Sequence, residues 1–376
     1  MAYQPGPVDQ ITGVDRPAVL AMLSLGLAVL AYLGVVAWRL PIDYWDGFDY
    51  LNNARVLAGH ASASLPLTYS DVRPPLVPLV LAPLMAFYAP HGAGAYPLTH
   101  LLMWATGVVA LWRSVCFFRR SLPLEWSLCA GLVMVSNAAF FSQLPFVMAD
   151  VASMFGCVLA LEAALRFVDR PSWPTACVLG GVVALAILTK YPCGLLLPLV
   201  GAAVVLSGSS MRTPRALVQL AVAGLGALSL VYLAHCVIFG LVHHDWSRAW
   251  LHALDGVRGA FSAGAQIYAS DQRDEYLRAA WVLFSPPLCL AGVAGVLVAL
   301  RRRAPADLLH LAWGIGFALA LSLVIAHKET RYALPVLPSC AYFIVTGLRA
   351  GYALLTRWRG GRLPRLLELA TALIVA

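Results

Sequence analysis

Residues 18–50, AVLAMLSLGLAVLAYLGVVAWRLPIDYWDGFDY, join an apolar run to a short stretch that is rich in aspartate. The apolar part, residues 18–38, matches the ~20 residues that a helix needs to cross the hydrocarbon core of a bilayer. The polar part, residues 41–50, holds three aspartates directly after that run. This junction predicts acidic side chains fixed at the surface of a membrane.

Two later stretches repeat the pattern of polar residues beside an apolar run. FVMAD, residues 146–150, precedes such a run, and HKETRY, residues 327–332, stands between two of them. Because each stretch borders a hydrophobic segment of membrane length, the fold can gather all three at one water-facing end of a helix bundle. Such an end would hold both acids and bases.

The composition is typical of a membrane protein. Of the 376 residues, 61% are hydrophobic and 12% are charged, and the mean hydropathy is +0.78. Soluble globular domains carry about 25% charged residues. Because the backbone polar groups of a segment in hydrocarbon must be satisfied within the protein, the expected fold class is an all-α polytopic bundle of transmembrane helices.

Apolar runs divide the chain into ten predicted membrane spans. They lie near residues 18–38, 96–117, 124–143, 150–168, 174–189, 191–207, 216–239, 280–300, 307–326 and 332–348. Several runs are shorter than an untilted span requires, and the division at Lys190 is the weakest. An eleventh apolar run begins at residues 366–376.

The predicted organisation is a polar cytoplasmic leader, residues 1–17, followed by a single helix-bundle domain, residues 18–376. Two long loops, residues 39–95 and 240–279, fall on the outer side of this bundle. Within the first loop, residues 73–90 (RPPLVPLVLAPLMAFYAP) are apolar but rich in proline. We expect them to form a short helix at the membrane interface rather than a span.

The formal charge of +8 reports membrane topology rather than nucleic-acid binding. Many arginines stand in short loops between apolar runs, which is the pattern of cytoplasmic loops. With a cytoplasmic N-terminus, the alternation of spans puts these arginines on the cytoplasmic side: Arg119, Arg120, Arg166, Arg170, Arg212, Arg215, Arg301, Arg302, Arg303, Arg349, Arg357 and Arg359. Lys190, Lys328 and Arg331 fall in short outer turns against this trend, so they need another role.

The sequence offers no strong cofactor site. The eight cysteines occur singly in or beside apolar segments, as small core residues do. His243, His244 and Asp245 carry metal-ligating side chains, but three adjacent residues rarely converge on one ion. We expect no cofactor, with a divalent metal as an alternative that the residues do not support.

Five motifs, taken in order, resemble a known group of enzymes. They are WDGFDYLNNARVLAGH (45–60), RPPL (73–76), FVMADVASMFGCVLALEAALRF (146–167), LAILTKYPCGLLLP (185–198) and HKETRYALPVLP (327–338). This order resembles the GT-C superfamily of membrane glycosyltransferases, chiefly the branch of protein O-mannosyltransferases and the lipid A aminoarabinose transferases of bacteria. The resemblance implies a GT-C-like bundle that transfers a sugar from a polyprenyl-phosphate carrier at the non-cytoplasmic face, with an acid in the first outer loop.

The resemblance assigns this acid to Asp46, which stands shortly before an Ala-Arg pair as in the family motif. A carboxylate suits the reaction because it can take the proton of the attacking acceptor hydroxyl. Gly47 stands where family members often have a second acid, so Asp49 and Asp43 are alternatives for this role. Asp150 resembles the second acid of the family and would be an auxiliary catalytic residue. Each aspartate alone is also a natural helix cap or interfacial solubiliser.

The candidates for contact with the carrier phosphate are Lys190, His327, Lys328 and Arg331. Cationic groups stabilise the charge that develops on a leaving phosphate, and an arginine fork suits phosphate geometry. The alternatives are that Lys190 only snorkels to the surface and that Glu329 only pairs with its basic neighbours.

The sequence thus predicts an inverting glycosyltransferase of a bacterial inner membrane, with its site facing the periplasm or exterior. Its partners would be a polyprenyl-phosphate sugar donor, a lipid, glycan or protein acceptor, and membrane lipids, with no nucleic acid. Two other classes stay open: a transporter or flippase of a lipid-linked or anionic solute, and a non-catalytic membrane scaffold. Transporters often show internal repeats and broken helices in both halves, and the sequence has no convincing repeat.

Overall fold

A computed structural model of the protein describes residues 16–40, 45–59, 69–88, 95–259, 275–324 and 329–358. Within these ranges the chain is helical and contains no β-strand. The all-α fold class that the sequence predicts is therefore confirmed.

The helices follow the apolar runs of the sequence. In chain order they are α1 (Arg16–Arg39), α2 (Trp45–Leu57), α3 (Leu76–Tyr88), α4 (Ala95–Phe118), α5 (Leu124–Val135), α6 (Ala138–Gln143), α7 (Ala149–Asp169), α8 (Trp173–Thr189), α9 (Leu196–Leu206), α10 (Pro214–His243), α11 (Trp246–His252), α12 (Glu275–Arg302), α13 (Pro305–His310), α14 (Phe317–Val324) and α15 (Leu337–Trp358). Between them lie 3₁₀ turns at Tyr191–Leu195, Ser209–Arg212 and Thr330–Val336, and a π-helical turn at Leu311–Gly316.

Six of the described helical segments are long and apolar enough to cross a membrane: Pro97–Phe118, Ala149–Asp169, Pro214–His243, Glu275–Arg302, Pro305–Leu323 and Thr330–Thr356. Shorter apolar helices accompany them: Leu23–Arg39, Leu76–Phe87, Leu124–Val135, Trp173–Thr189 and Tyr191–Leu206. The chain is therefore a multi-pass helix bundle, and the number of ten or eleven spans stays a prediction.

Five of the predicted spans are not single regular α-helices. Residues 280–300 are kinked at Ser285, residues 307–326 contain the π-helical turn Leu311–Gly316, and residues 332–348 begin in the 3₁₀ turn Thr330–Val336.

The other two predicted spans are interrupted near their start or middle. α5 and α6 divide residues 124–143, because Asn137 stands between them and caps α6. The side-chain oxygen of Asn137 accepts hydrogen bonds from the amides of Ala139 and Phe140. Residues 191–207 likewise begin as a 3₁₀ turn before α9.

α7 lies inside the bundle and packs against α4 and α8. A small residue permits the close approach, since a Cβ on Gly156 would lie only 3.1 Å from Ala186 of α8. Most side chains of α7 are buried, among them Met154, Cys157 and Leu161. α7 thus fixes the positions of its neighbours.

The two ends of α7 mark the two ends of the bundle. Asp150 lies in its first turn and Asp169 is its last residue, about 30 Å away at 1.5 Å per residue. Arg120, which follows α4, lies 3.6 Å from Asp169 and belongs to that far end. The start of α2, the end of α8 and the 3₁₀ turn Thr330–Val336 all meet at the Asp150 end.

Candidate active site

Asp46 lies in the first turn of α2, between two arginines from distant parts of the chain. Arg73 Nη2 donates to Asp46 Oδ1 at 2.5 Å, and Arg331 Nη2 lies 2.8 Å from Asp46 Oδ2. The Asp46 side chain is 20% exposed, so a ligand can still approach the carboxylate.

Arg73 stands in the loop before α3 and binds both described aspartates of α2. Its Nε donates to Asp49 Oδ2 at 2.9 Å, in addition to its contact with Asp46. Burial alone would lower the pKa of Arg73, but the charge of Asp46 and the hydrogen bond to Asp49 raise this pKa above its ordinary value. Asn53 of α2 fixes the loop: its Nδ2 donates to Ser70 O at 2.9 Å, and Ser70 N donates to its Oδ1 at 2.7 Å. The loop therefore keeps a charged guanidinium against the acids of α2.

Arg331, in the 3₁₀ turn Thr330–Val336, joins Asp46 to another acid. Its Nε donates to Glu329 Oε2, and its Nη2 also donates to Glu329 Oε1 at 2.9 Å. Its Nη1 lies 3.6 Å from Met148 Sδ. Each guanidinium nitrogen thus has a partner, and the side chain is only 13% exposed.

Asp150 and Lys190 form a buried ion pair beside this cluster. Lys190 Nζ donates to Asp150 Oδ1, and the Lys190 and Asp150 side chains are 13% and 4% exposed. Asp150 lies in the first turn of α7 and Lys190 directly follows α8, so the packing of these helices brings the pair together. The Tyr332 ring centroid lies 4.4 Å from Lys190 Nζ and 5.4 Å from Arg331 Cζ, which connects the pair to Arg331 by cation–π contacts.

Tyrosine hydroxyls lie next to the charged groups. Tyr50 of α2 is 5% exposed, and its burial raises the pKa of the phenol, which therefore stays protonated. The Tyr191 hydroxyl lies 3.1 Å from His235 Nε2 and 3.5 Å from the carbonyl oxygen of Arg73. These hydroxyls supply polar contacts without adding charge to the site.

The structure brings together four of the residues that the sequence singles out: Asp46, Asp150, Lys190 and Arg331. Asp49 joins this cluster through Arg73. His327, Lys328 and the alternative acid Asp43 lie outside the described residues. The chemical roles of all these residues stay predictions.

Two members of the cluster had no assigned role in the sequence analysis. Arg73 binds both Asp46 and Asp49, and its signal in the sequence is the RPPL motif. Tyr332 lies against two cations, and its signal is its place in HKETRY. The pairing of Glu329 with a basic neighbour, kept as an alternative above, is present in the structure.

The candidate metal ligands do not converge. His243 Nε2 lies 3.4 Å from Asp71 Oδ2, whereas Asp245 caps α11 by accepting from the amide of Arg248. Among the described residues, no group of three His, Cys, Asp or Glu side chains could hold a metal ion. Both oxygens of Asp46 contact guanidinium groups in the observed arrangement.

No model of a known protein family matches the chain, and no curated protein sequence matches it. Solved structures do match. ArnT from Cupriavidus metallidurans in the apo state gives a TM-score of 0.62 at 19% identity, over 88% of this chain and 60% of that chain. ArnT bound to undecaprenyl phosphate gives 0.60 at 17% identity, with the same coverage of 88% and 60%. The archaeal oligosaccharyltransferase AglB from Archaeoglobus fulgidus, in complex with an inhibitory peptide and a dolichol-phosphate, gives 0.59 at 14% identity over 93% of this chain and 54% of that chain.

The chain thus spans between 54% and 60% of the length of these solved structures. Another structure of the Archaeoglobus fulgidus enzyme contains zinc and sulfate. ArnT, a lipid A aminoarabinose transferase, and AglB are both membrane glycosyltransferases of the GT-C superfamily. Their similarity to this chain shows that it has the GT-C fold, as the order of its motifs implied.

Proposed function

We propose that the chain transfers a sugar from a polyprenyl-phosphate carrier to a hydroxyl of a lipid, glycan or protein acceptor. The observation that carries this proposal is the distance of 2.8 Å between Asp46 Oδ2 and Arg331 Nη2. It puts a carboxylate suited to accept a proton beside a guanidinium suited to bind a phosphate. The fold supports the choice of donor, because ArnT and AglB structures contain undecaprenyl phosphate and a dolichol-phosphate.

Asp46 is the general base in this proposal. The acceptor oxygen attacks the anomeric carbon as the bond to the phosphate oxygen breaks, which inverts that carbon. The hydroxyl proton passes to Asp46. A carboxylate has about four lone-pair sites, so the contacts with Arg73 and Arg331 leave room on each oxygen for a hydroxyl. Asp49, which shares Arg73, is the alternative base.

Cations receive the phosphate that leaves with the carrier. Arg331 offers a planar fork of donors, and Lys190 adds a second positive charge that also contacts the Tyr332 ring. Asp150 is the auxiliary acid because it holds the Lys190 ammonium in place. His327 and Lys328 complete the proposed phosphate-binding set, since they precede Arg331 by a few residues.

The proposed location of this site is the non-cytoplasmic face of a bacterial inner membrane. Arg166 lies in the last turn of α7, at the end opposite the site, and Arg120 follows α4 and lies 3.6 Å from Asp169 at the same end. Basic residues at that end are typical of a cytoplasmic surface. The carrier phosphate would then lie at the level of the lipid headgroups while its chain stays in the bilayer.

Replacement of Asp46 by asparagine tests the proposal. We expect Asp46→Asn to lower turnover of labelled polyprenyl-phosphate sugars by about 10²–10⁴-fold, the range that a general base supplies. Binding of undecaprenyl phosphate to the purified variant should change much less, because Arg331 and Lys190 remain. Turnover and carrier binding are measured on the same detergent preparation.

Asp169→Asn is the matched control, because it removes one carboxylate at the far end of α7. It should leave both turnover and binding at the wild-type level. Wild-type turnover by Asp46→Asn would reject Asp46 as the base. If the wild-type protein consumes no polyprenyl-phosphate sugar and binds no undecaprenyl phosphate, glycosyl transfer itself is rejected.

A further inference from the structure

Glu329 binds Arg331 through both of its carboxylate oxygens. Oε2 accepts from Nε, and Oε1 accepts from Nη2 at 2.9 Å. We call these two nitrogens the Arg331 fork. A two-point contact of this kind is the geometry in which arginine binds either a carboxylate or a phosphate. Glu329 therefore occupies the donors that a phosphate would use.

The other two terminal contacts of Arg331 are also with protein atoms. Nη2 contacts Asp46 Oδ2 at 2.8 Å, and Nη1 lies 3.6 Å from Met148 Sδ. A phosphate can thus take both nitrogens of the fork only if Glu329 gives way. Glu329 binds both nitrogens of the fork, whereas Asp46 contacts only Nη2 and is also held by Arg73 at 2.5 Å. Glu329 also accepts from the Tyr332 hydroxyl at 3.4 Å, and its side chain is more exposed than that of Asp46, 34% against 20%. Glu329 is therefore the acid that a phosphate has to displace from the fork.

Charge repulsion acts in the same direction. The carrier phosphate and the Glu329 carboxylate are both negative, so a phosphate at Arg331 repels a carboxylate that stays on the same guanidinium.

We propose that Glu329 competes with the phosphate of the carrier lipid for the Arg331 fork. This inference rests on the proposed function. Carrier binding displaces the carboxylate from the fork, and after the transfer the returning carboxylate helps to expel the carrier phosphate. Glu329 then controls the affinity for the carrier and the release of the product. It takes no part in the making or breaking of covalent bonds.

The test compares the affinities of purified variants for undecaprenyl phosphate in detergent. Glu329→Gln keeps the size of the side chain but loses its charge, so it competes less for the fork. We expect its Kd for undecaprenyl phosphate to fall about tenfold, since a hydrogen bond between charged groups is lost from the competing state. Inhibition of turnover by added undecaprenyl phosphate should become stronger in the same proportion.

Glu125→Gln is the matched control. Glu125 lies in the first turn of α5, just after the loop that contains Arg120, and so belongs to the far end of the bundle. Its Kd should equal that of the wild type. Glu329→Asp keeps the charge, and its Kd should stay within about threefold of the wild-type value if charge competition is the cause. Thermal unfolding of each variant shows whether it is folded.

The alternative role of Glu329 is to hold the Arg331 fork in the geometry that binds phosphate. Equal or weaker binding by a folded Glu329→Gln protein would overturn the inference in favour of this alternative. The proposed function fails in a different way, namely if Arg331→Ala binds undecaprenyl phosphate as well as the wild type does.

Discussion

At the scale of single residues, the pair of Lys190 and Asp150 shows how a charge can be kept at the margin of a membrane. The two side chains are 13% and 4% exposed, so neither charge is well hydrated. Each therefore depends on the other, and the Tyr332 ring adds a cation–π contact. Such a pair contributes little net stability, whereas breaking it leaves a buried charge without a partner.

Lys190→Ala should therefore destabilise the protein by about 3 kcal/mol, the low end of the cost of breaking a buried ion pair. Thermal unfolding in detergent measures this loss. The double variant Asp150→Asn with Lys190→Met should recover much of it, because no buried charge is then left alone. A Lys190→Ala protein with wild-type stability would show that Asp150 finds another partner or is hydrated.

The sequence supplied part of the site at this scale. Asp46, Asp150, Lys190 and Arg331 could be found because each lies in a short polar stretch beside an apolar run. The pairing of Arg73 with Asp46 could not, because it depends on how the loop before α3 folds back on α2. That fold is set by hydrogen bonds of Asn53 to the backbone of Ser70, which leave no pattern in the sequence.

At the scale of helices, α12 and α15 cross in direct backbone contact. A Cβ on Gly295 would lie 1.8 Å from the carbonyl oxygen of Phe343, and a Cβ on Gly347 would lie 1.9 Å from that of Ala291. Small residues at such crossings let the backbones of two membrane helices approach closely. The helices then gain van der Waals contacts with each other, which drive their association in a bilayer. α15 follows the turn that carries Arg331, so this crossing anchors one wall of the site.

Gly295→Ala should lower the free energy of unfolding by about 3 kcal/mol, the upper part of the range for an overpacked interior. The obstructing atom is a backbone oxygen, which cannot move aside as a flexible side chain can. The midpoint of thermal unfolding in detergent gives the measurement. Gly226→Ala in α10 is the control, because its added Cβ meets nothing within 4 Å. Equal midpoints for the two variants would mean that the crossing is looser than described.

The helices could be predicted from the sequence better than their interruptions. Long apolar runs determine where helices form, because the backbone in hydrocarbon has to satisfy its own hydrogen bonds. The break between α5 and α6 depends on one side chain, Asn137, whose cap competes with continuation of the helix. The 3₁₀ turn after Lys190 begins with Tyr191 and Pro192, and proline removes an amide donor at that point.

At the scale of the whole molecule, charged residues collect at both ends of α7 but in different arrangements. At the Asp150 end, acids and bases from distant stretches meet in one cluster. At the other end, Arg113 and Arg166 share Glu162, and Arg120 approaches Asp169. The far end is therefore rich in arginines that pair with acids of α7, and an excess of basic residues is typical of a cytoplasmic surface. These arginines support the proposed orientation of the chain.

The orientation can be tested by cysteine labelling in intact cells. Asp71 and Asp169 lie at the two ends, and their side chains are 44% and 57% exposed. In a variant whose eight native cysteines are replaced, Asp71→Cys should react with a membrane-impermeant maleimide added outside the inner membrane, and Asp169→Cys should react only after the membrane is opened. Because Asp71 is separated from Arg73 by one residue, its side of the membrane is also the side of the candidate site. The reverse labelling pattern would put the cluster on the cytosolic side, and the acceptor would then have to be a cytosolic molecule. It would also leave the positive-inside distribution of the arginines without an explanation.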